Sequence, residues 1–172
     1  MTAPPIAEQA APSTDAAASN AAPWLSANEL SSWLSVVRLI TRLPWAIDGQ
    51  LQRDADVSMV EYMTMAMLAE APDWTMRMST LAEEASVSLS RLSHMAKRLE
   101  ARGYIRREPD PTDGRFTNAI LLPAGMHTMQ QAAPAHVAFV RHLVVDNLSP
   151  ERLRRLGQDA ERILRRIDSP AR

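Results

Sequence analysis

The chain has 172 residues, 46% hydrophobic and 23% charged, with a formal net charge of −1 and no cysteine. That length holds one ordinary domain, or one domain with appendages, and the apolar share suffices for a core. No stretch approaches roughly 18 uninterrupted apolar residues, which excludes a transmembrane helix. The missing cysteine excludes disulfides, thiolate metal sites, cysteine nucleophiles and thiol redox sensing. Five Gly against twelve Pro, with only two Phe and two Tyr, speak against a β-rich barrel or sandwich and leave a mostly helical cytosolic domain.

Residues 1–23 are dominated by Ala, with four Pro and no apolar period, and predict a disordered tail. They lack the basic start and strongly apolar centre of a signal peptide. Ser26 and Glu29 form an S-x-x-E capping box, and Leu30, Trp33, Leu34, Val37 and Ile40 follow at helical spacing. Pro44 predicts a kink or a restart of this helix. A second box, Ser58 with Glu61, opens a helix carrying Met59, Tyr62, Met63, Ala66 and Met67, closed by Pro72 and Asp73. Its Met stripe reads as helix core, with a hydrophobic ligand site as the alternative.

Thr80 and Glu83 repeat the box and predict a short helix starting at Ser79 or Thr80, through Leu81, Ala82 and Ala85. Ser88 can cap another over about 89–102, stopped by Gly103. Two helices joined by so tight a turn, the second one basic, predict a helix-turn-helix. Tyr104 to Arg107 and Phe116 to Leu122 flank a Pro/Asp/Gly turn, the pattern of a β-hairpin. A helix-turn-helix followed by such a hairpin is a winged helix.

Pro123 suits the first turn of the next helix, which runs through Met126 and Met129 to Val145 with a kink expected at Pro134. Ser149, Pro150 and Glu151 start the last helix, whose Leu153, Leu156, Ala160, Ile163 and Ile167 form a heptad-type seam. Two heptads are too short for a lone coiled coil; a dimer interface fits better.

The near-neutral sum hides a dipole. Residues 1–76 hold three Arg and nine acids, net −6; residues 77–115 are net +2 and residues 116–172 net +3. Within 86–107, six basic residues face the single acid Glu100. Wound as a helix, residues 89–102 place Leu89, Leu92, Ala96 and Leu99 on one side and Ser90, Arg91, His94, Lys97, Arg98 and Ala101 on the other. The polar side reads either as an ordinary solvated face or as a reader of duplex DNA. The preceding helix and following hairpin favour the second reading. A helix fits the major groove, and Arg can bond guanine O6 and N7 together. Ser86, Ser88 and Ser90 lie near the helix N-terminus, where phosphate is favoured. Arg115 at the hairpin tip can reach a minor groove or phosphate. Asp113 orients Arg115 or shapes the turn.

Met78-Ser79-Thr80-Leu81-Ala82, Ser88-Leu89-Ser90-Arg91-Leu92-Ser93 and Leu99-Glu100-Ala101-Arg102-Gly103-Tyr104-Ile105 together resemble the MarR family of winged-helix regulators. The wing Asp110-Pro111-Thr112-Asp113-Gly114-Arg115 matches the family's Asp-x-Arg signature at Asp113 and Arg115. Ala119-Ile120-Leu121-Leu122-Pro123-Ala124-Gly125 resembles the strand and helix start that follow it, with Leu122 where the family usually has a capping Thr. The resemblance spans about residues 26–168.

It implies a mainly α fold: residues 57–122 as a winged helix-turn-helix core with a small β-hairpin wing, and 24–56 and 123–172 as N- and C-terminal dimerisation helices, within one domain over 24–172. It implies an obligate homodimer placing two recognition helices in successive major grooves of a pseudo-palindromic operator, with Ser88, Ser90, Arg91, His94 and Arg98 as contacts and Asp113 with Arg115 as wing. Ser86 and Lys97 complete the candidate DNA-binding set. The implied function is a cytoplasmic, nucleoid-associated repressor of nearby genes, relieved by a small aromatic or phenolic effector. Trp33, Trp45, Met63 and Met67 are the candidate effector residues, with core or dimer interface as the alternative. No cofactor is expected, and His127, His136 and His142 lack the spacing of a helical metal site. His94 is expected to act as a neutral hydrogen-bonding contact, with a pH-sensitive role as the alternative. No GxGxxG, P-loop, nucleophile elbow or HExxH occurs, so no enzyme is expected. Two further readings are a non-specific architectural DNA binder and a winged-helix protein-interaction module.

Overall fold

A computed structural model describes residues 24–169; the tail expected over 1–23 lies outside the described residues. The chain divides into two units, one ending at Leu39 and one starting at Ile40. In the first, the Ser26 box forms as expected, with the Ser26 amide and hydroxyl both donating to the Glu29 carboxylate at 2.8 and 2.7 Å. Its apolar side chains Leu30, Trp33 and Leu34 are exposed.

Helix α1 (Ala27–Ala55) continues unbroken through Pro44, so the expected restart does not occur. Pro44 withdraws one helical donor, but Pro44 and Ile40, four residues earlier, are both exposed, so water can satisfy the freed carbonyl. α2 (Met59–Glu70) starts at Ser58, where both halves of the capping box are made. Glu61, Thr64, Met65 and Leu68 are its buried face. Of the stripe expected to pack, Met59, Tyr62 and Met67 are half-buried against the core, while Met63 is exposed. α2 is apolar nearly all round, so its spacing could not choose which side turns inward.

After a 3₁₀ turn at Pro72–Trp74, strand β1 (Thr75–Arg77) leads straight into α3 (Met78–Glu84). The sequence pattern did not reveal this strand. It moves the helix start ahead of Thr80, so Arg77 is the N-cap, with no side-chain cap bond, and the Thr80 box is not used. Met78 is thereby buried in the first helical turn. α4 (Leu89–Ala101) is capped by Ser88, whose hydroxyl oxygen accepts from the Arg91 amide at 3.2 Å. It ends before Gly103, which sits at φ +69, a conformation that favours glycine. β2 (Ile105–Pro109) and β3 (Thr117–Leu121) form the expected hairpin, and β1 adds to β3, giving an antiparallel sheet of order β1-β3-β2. α5 (Pro123–Leu143) begins with Pro123 at its first turn, Leu122 giving no side-chain cap, and continues through Pro134. α6 (Pro150–Asp168) starts at Ser149 as expected.

The core joins α1, α2, α3, α4 and the sheet through Leu51, Val57, Met65, Leu68, Leu81, Leu92, Leu99, Ile105 and Leu121, each at most 2% exposed. Burying such a side chain stabilises by about 1.5–3 kcal/mol. Leu92, Met95, Ala96 and Leu99 are the buried side of α4. Leu89, expected among them, is 51% exposed and borders an open cleft with Met78, Arg115 and Phe116, while Met95 takes the inner place. Among the described residues, no buried side-chain nitrogen or oxygen lacks a hydrogen-bond partner. Within the same residues, no helix is long and apolar enough to cross a membrane.

Candidate nucleic-acid interface

α3 and α4 pack at the turn 85–88, where Ser86 takes φ +52 and its amide donates to the Glu83 carbonyl at 3.0 Å. With the Leu92, Ala96 and Leu99 side buried, Ser86, Ser88, Ser90, Arg91, His94, Lys97 and Arg98 are all exposed. The seven α3–α4 candidates therefore share one solvent-facing edge of this pair of helices.

Their charges are not equally free. Of the six cations in 86–107, four are held by carboxylates. Arg98 Nη2 lies 2.9 Å from Glu61, Arg102 3.3 Å from Asp56, Arg106 3.2 Å from Glu108 and Arg107 2.6 Å from Glu100. Arg107 bonds hold the Glu100 carboxyl below its ordinary value, chiefly through the side-chain hydrogen bonds. Among the described residues, Arg91 and Lys97 have no carboxylate within ion-pair distance. The local excess of six to one therefore narrows to two uncommitted cations. Two of the four balancing acids, Asp56 and Glu61, stand far from this stretch, so counting along it could not find them.

Glu61 is the buried one, 6% exposed, and it works twice. One oxygen accepts from the Ser58 amide at 2.8 Å, closing the α2 box; the other accepts from Arg98 Nε at 3.1 Å. Glu61 was legible as a box residue, but not as an anchor for α4.

In the wing, Asp113 grips Arg115: Nε donates to Oδ1 at 2.9 Å and Nη2 to Oδ2 at 2.6 Å. The contact keeps the Asp113 carboxyl below, and the Arg115 guanidinium above, their ordinary values. Arg115 is nevertheless 85% exposed. Asp113 thus sets the direction of a guanidinium that projects into solvent. At the base of the wing, Asp110 is 8% exposed and accepts from the Thr112 amide and hydroxyl at 2.8 and 2.6 Å. It accepts also from Arg77 Nε at 3.0 Å. The Thr112 bonds foremost, then Arg77, hold its carboxyl well below the usual range. Asp110 was legible as the start of the wing, but its pairing with Arg77 was not, since 33 positions separate them.

Within the second unit, Trp45 is not brought together with Met63 and Met67. Trp45, 78% exposed, borders a cleft with Pro44, Asp48, Met59, Val60 and Arg91. An adjoining cleft of about 360 Å³ shares Asp48, Val60 and Arg91 and adds His94 and Arg98. Met63 and Met67 line a different groove, with Met76, Glu70 and Glu84. Trp33 belongs to the N-terminal unit. His136 packs on Tyr62 with ring centroids 4.9 Å apart and bonds Gln50 at 3.0 Å. His94, His127 and His142 are exposed, and among the described residues no group of His, Asp and Glu could hold a metal ion.

The MarR family model matches residues 57–117, which run from the end of the α1–α2 corner to the wing. Sco3205, a MarR family transcriptional regulator from Streptomyces coelicolor solved in complex with DNA, is 41% identical, with a TM-score of 0.81 over 86% of this chain and 96% of that one. The chain belongs to the MarR family of transcriptional regulators. AbsC, another MarR family transcriptional regulator from Streptomyces coelicolor, is 34% identical, with a TM-score of 0.80 over 85% of this chain and 98% of that one. A MarR mutant from E. coli complexed with operator DNA shares the fold at 21% identity and a TM-score of 0.66, over 78% of this chain and 97% of that one. None of the curated proteins compared with the chain matches it. Family membership makes the chain a regulator and not an enzyme.

Proposed function

We propose that this MarR family regulator binds double-stranded DNA as a cytoplasmic, nucleoid-associated homodimer, reads a pseudo-palindromic operator and represses nearby genes. The observation that carries the reading is a helix seated on the core by its leucines, with Arg91 and Lys97 uncommitted on its outer side. Sco3205 in its complex with DNA supports it. In this reading residues 57–122 form the DNA-binding core, and 24–56 with 123–172 supply dimerisation helices. Ser86, Ser88 and Ser90 meet phosphate or base edges, Arg91 and His94 face bases, and Lys97 and Arg98 face phosphates. Asp113 directs Arg115 into the neighbouring minor groove or onto its phosphates. A small aromatic or phenolic effector releases the DNA. The cleft shared by Trp45, Asp48 and Arg91 favours this, because an occupant there lies against the side chain that faces bases.

Gel shift tests it, with a duplex from the region upstream of the chain's own gene and a random duplex of equal length. A complex with the upstream duplex that survives excess random competitor is expected. Equal competition would mean an architectural binder, and no complex at low salt would remove DNA as the partner. Arg91→Ala is expected to reduce the discrimination between the two duplexes by about 1–3 kcal/mol. Equal weakening on both would remove base reading from Arg91.

A further inference from the structure

We infer that Arg77 is a positioning residue for DNA engagement: it fastens the wing to the first helix of the helix-turn-helix, so that Arg115 and α4 meet a duplex as one rigid body. The inference rests on the DNA-binding reading above.

Arg77 stands at a junction. It is the last residue of β1, paired with Asn118 of β3, and also the N-cap of α3. Its Nε donates to Oδ2 of Asp110 at 3.0 Å, and its guanidinium carbon lies 4.4 Å from the centre of the Phe116 ring. Those two wing residues are the ends of the wing loop. The Asp110 amide donates to the Phe116 carbonyl at 3.0 Å, and the Phe116 amide to the Asp113 carbonyl at 3.0 Å. Asp110 divides its oxygens between two tasks. Oδ1 gathers Thr112 and the Asp113 amide, which fixes the loop internally; Oδ2 is left for Arg77, which fixes the loop externally.

Only an arginine serves both contacts, since its flat guanidinium can stack on a ring while its edge donates to a carboxylate. A hairpin loop tied only at its strands could rock at its tip, and a tip displacement would carry Arg115 off its target. The Arg77 latch removes that freedom without touching the duplex.

The test is a double-substitution cycle on the full chain, using Arg77→Ala, Arg115→Ala and both together. The probe is the upstream duplex, with binding followed by fluorescence anisotropy across a salt series. Arg115→Ala alone is expected to lower the salt slope by about one unit, one phosphate contact. Arg77→Ala alone is expected to do the same, and the double variant no more than either. A drop near two units in the double variant would mean that Arg77 touches phosphate itself and would overturn the latch, as would an unchanged slope in Arg77→Ala. Phe116→Leu, which keeps the Asp110 contact and removes the ring from Arg77 at 4.4 Å and from Arg115 at 6.0 Å, is expected to show part of the loss, while amide exchange quickens in 110–116 and not in α4. Unchanged exchange in that loop would also overturn it. No binding by the unsubstituted chain removes the DNA reading and the latch with it; binding with additive losses removes the latch alone.

Discussion

Arg98 shows that an exposed cation can still be restrained. Its side chain is 66% exposed, yet Glu61 holds both its Nε and its Nη2. Glu61→Ala removes this pair and half of the α2 capping box together, and is expected to destabilise by about 1–3 kcal/mol. Arg98→Ala leaves Glu61 its Ser58 donors, so the expected loss is smaller, about 1 kcal/mol. Urea unfolding at one fixed protein concentration compares them. A silent Glu61→Ala would mean that the bond to α4 carries no stability. At this scale the sequence disclosed which residues face outward, because an amphipathic period is local. It hid what restrains them: Glu61 and Arg98 are 37 positions apart, and Asp110 and Arg77 are 33.

Between elements, the deciding factor was whether a neighbour overrides a local signal. Boxes at Ser26 and Ser58 and caps at Ser88 and Ser149 form where the sequence placed them. The Thr80 box fails because β1, pinned to β3, feeds α3 three residues early, with Arg77 in place of Thr80 as N-cap. β1 itself was not legible: three residues are too few for an alternation to signal a strand, and they become one by pairing with β3. Ser88→Ala is therefore expected to destabilise by about 1 kcal/mol, while Thr80→Ala stays within roughly 0.5 kcal/mol. Thermal melts of both settle the contrast, and equal losses would refute the structural start of α3. The joint of α5 with α1 and α2 gives a pH dependence. Burial lowers the His136 pKa, so the folded chain binds its proton less readily than the unfolded chain. The neutral-His contribution is thus complete above the ordinary value of 6.5 and is lost as pH falls through 6.5 toward the folded value. His136→Gln is expected to flatten the melting temperature against pH on the acid side of 6.5. An unchanged slope would assign it to other groups.

At the scale of the molecule, α6 is the element that cannot be explained within one chain. It is an α-helix from Pro150 to Asp168 with no buried residue, whereas most helical stability in proteins comes from packing an amphipathic face. Yet Leu156, Ile163, Leu164 and Ile167 are 42, 57, 55 and 70% exposed. Uncovered apolar side chains gathered on one helix mark an interaction surface. The 3–4 spacing of Leu153, Leu156, Ala160, Ile163 and Ile167 predicts a dimer interface, and among the described residues nothing buries Leu156, Ile163 or Ile167. A second copy is the occupant our reading requires, because the repeated half-sites of a pseudo-palindrome call for two α4 helices one turn of DNA apart. Light scattering at micromolar concentration should therefore give twice the chain mass of 19.1 kDa. Charging the seam with Ile163→Asp and Ile167→Asp should return the mass to 19.1 kDa and reduce helical circular dichroism as α6 frays. It should also abolish the preference for a duplex with two half-sites over one. Because α4 and the wing lie outside the seam, the weaker single-half-site binding should survive. Loss of both binding modes together would trace the effect to misfolding. A monomer mass for the unsubstituted chain would remove the dimer from the proposal.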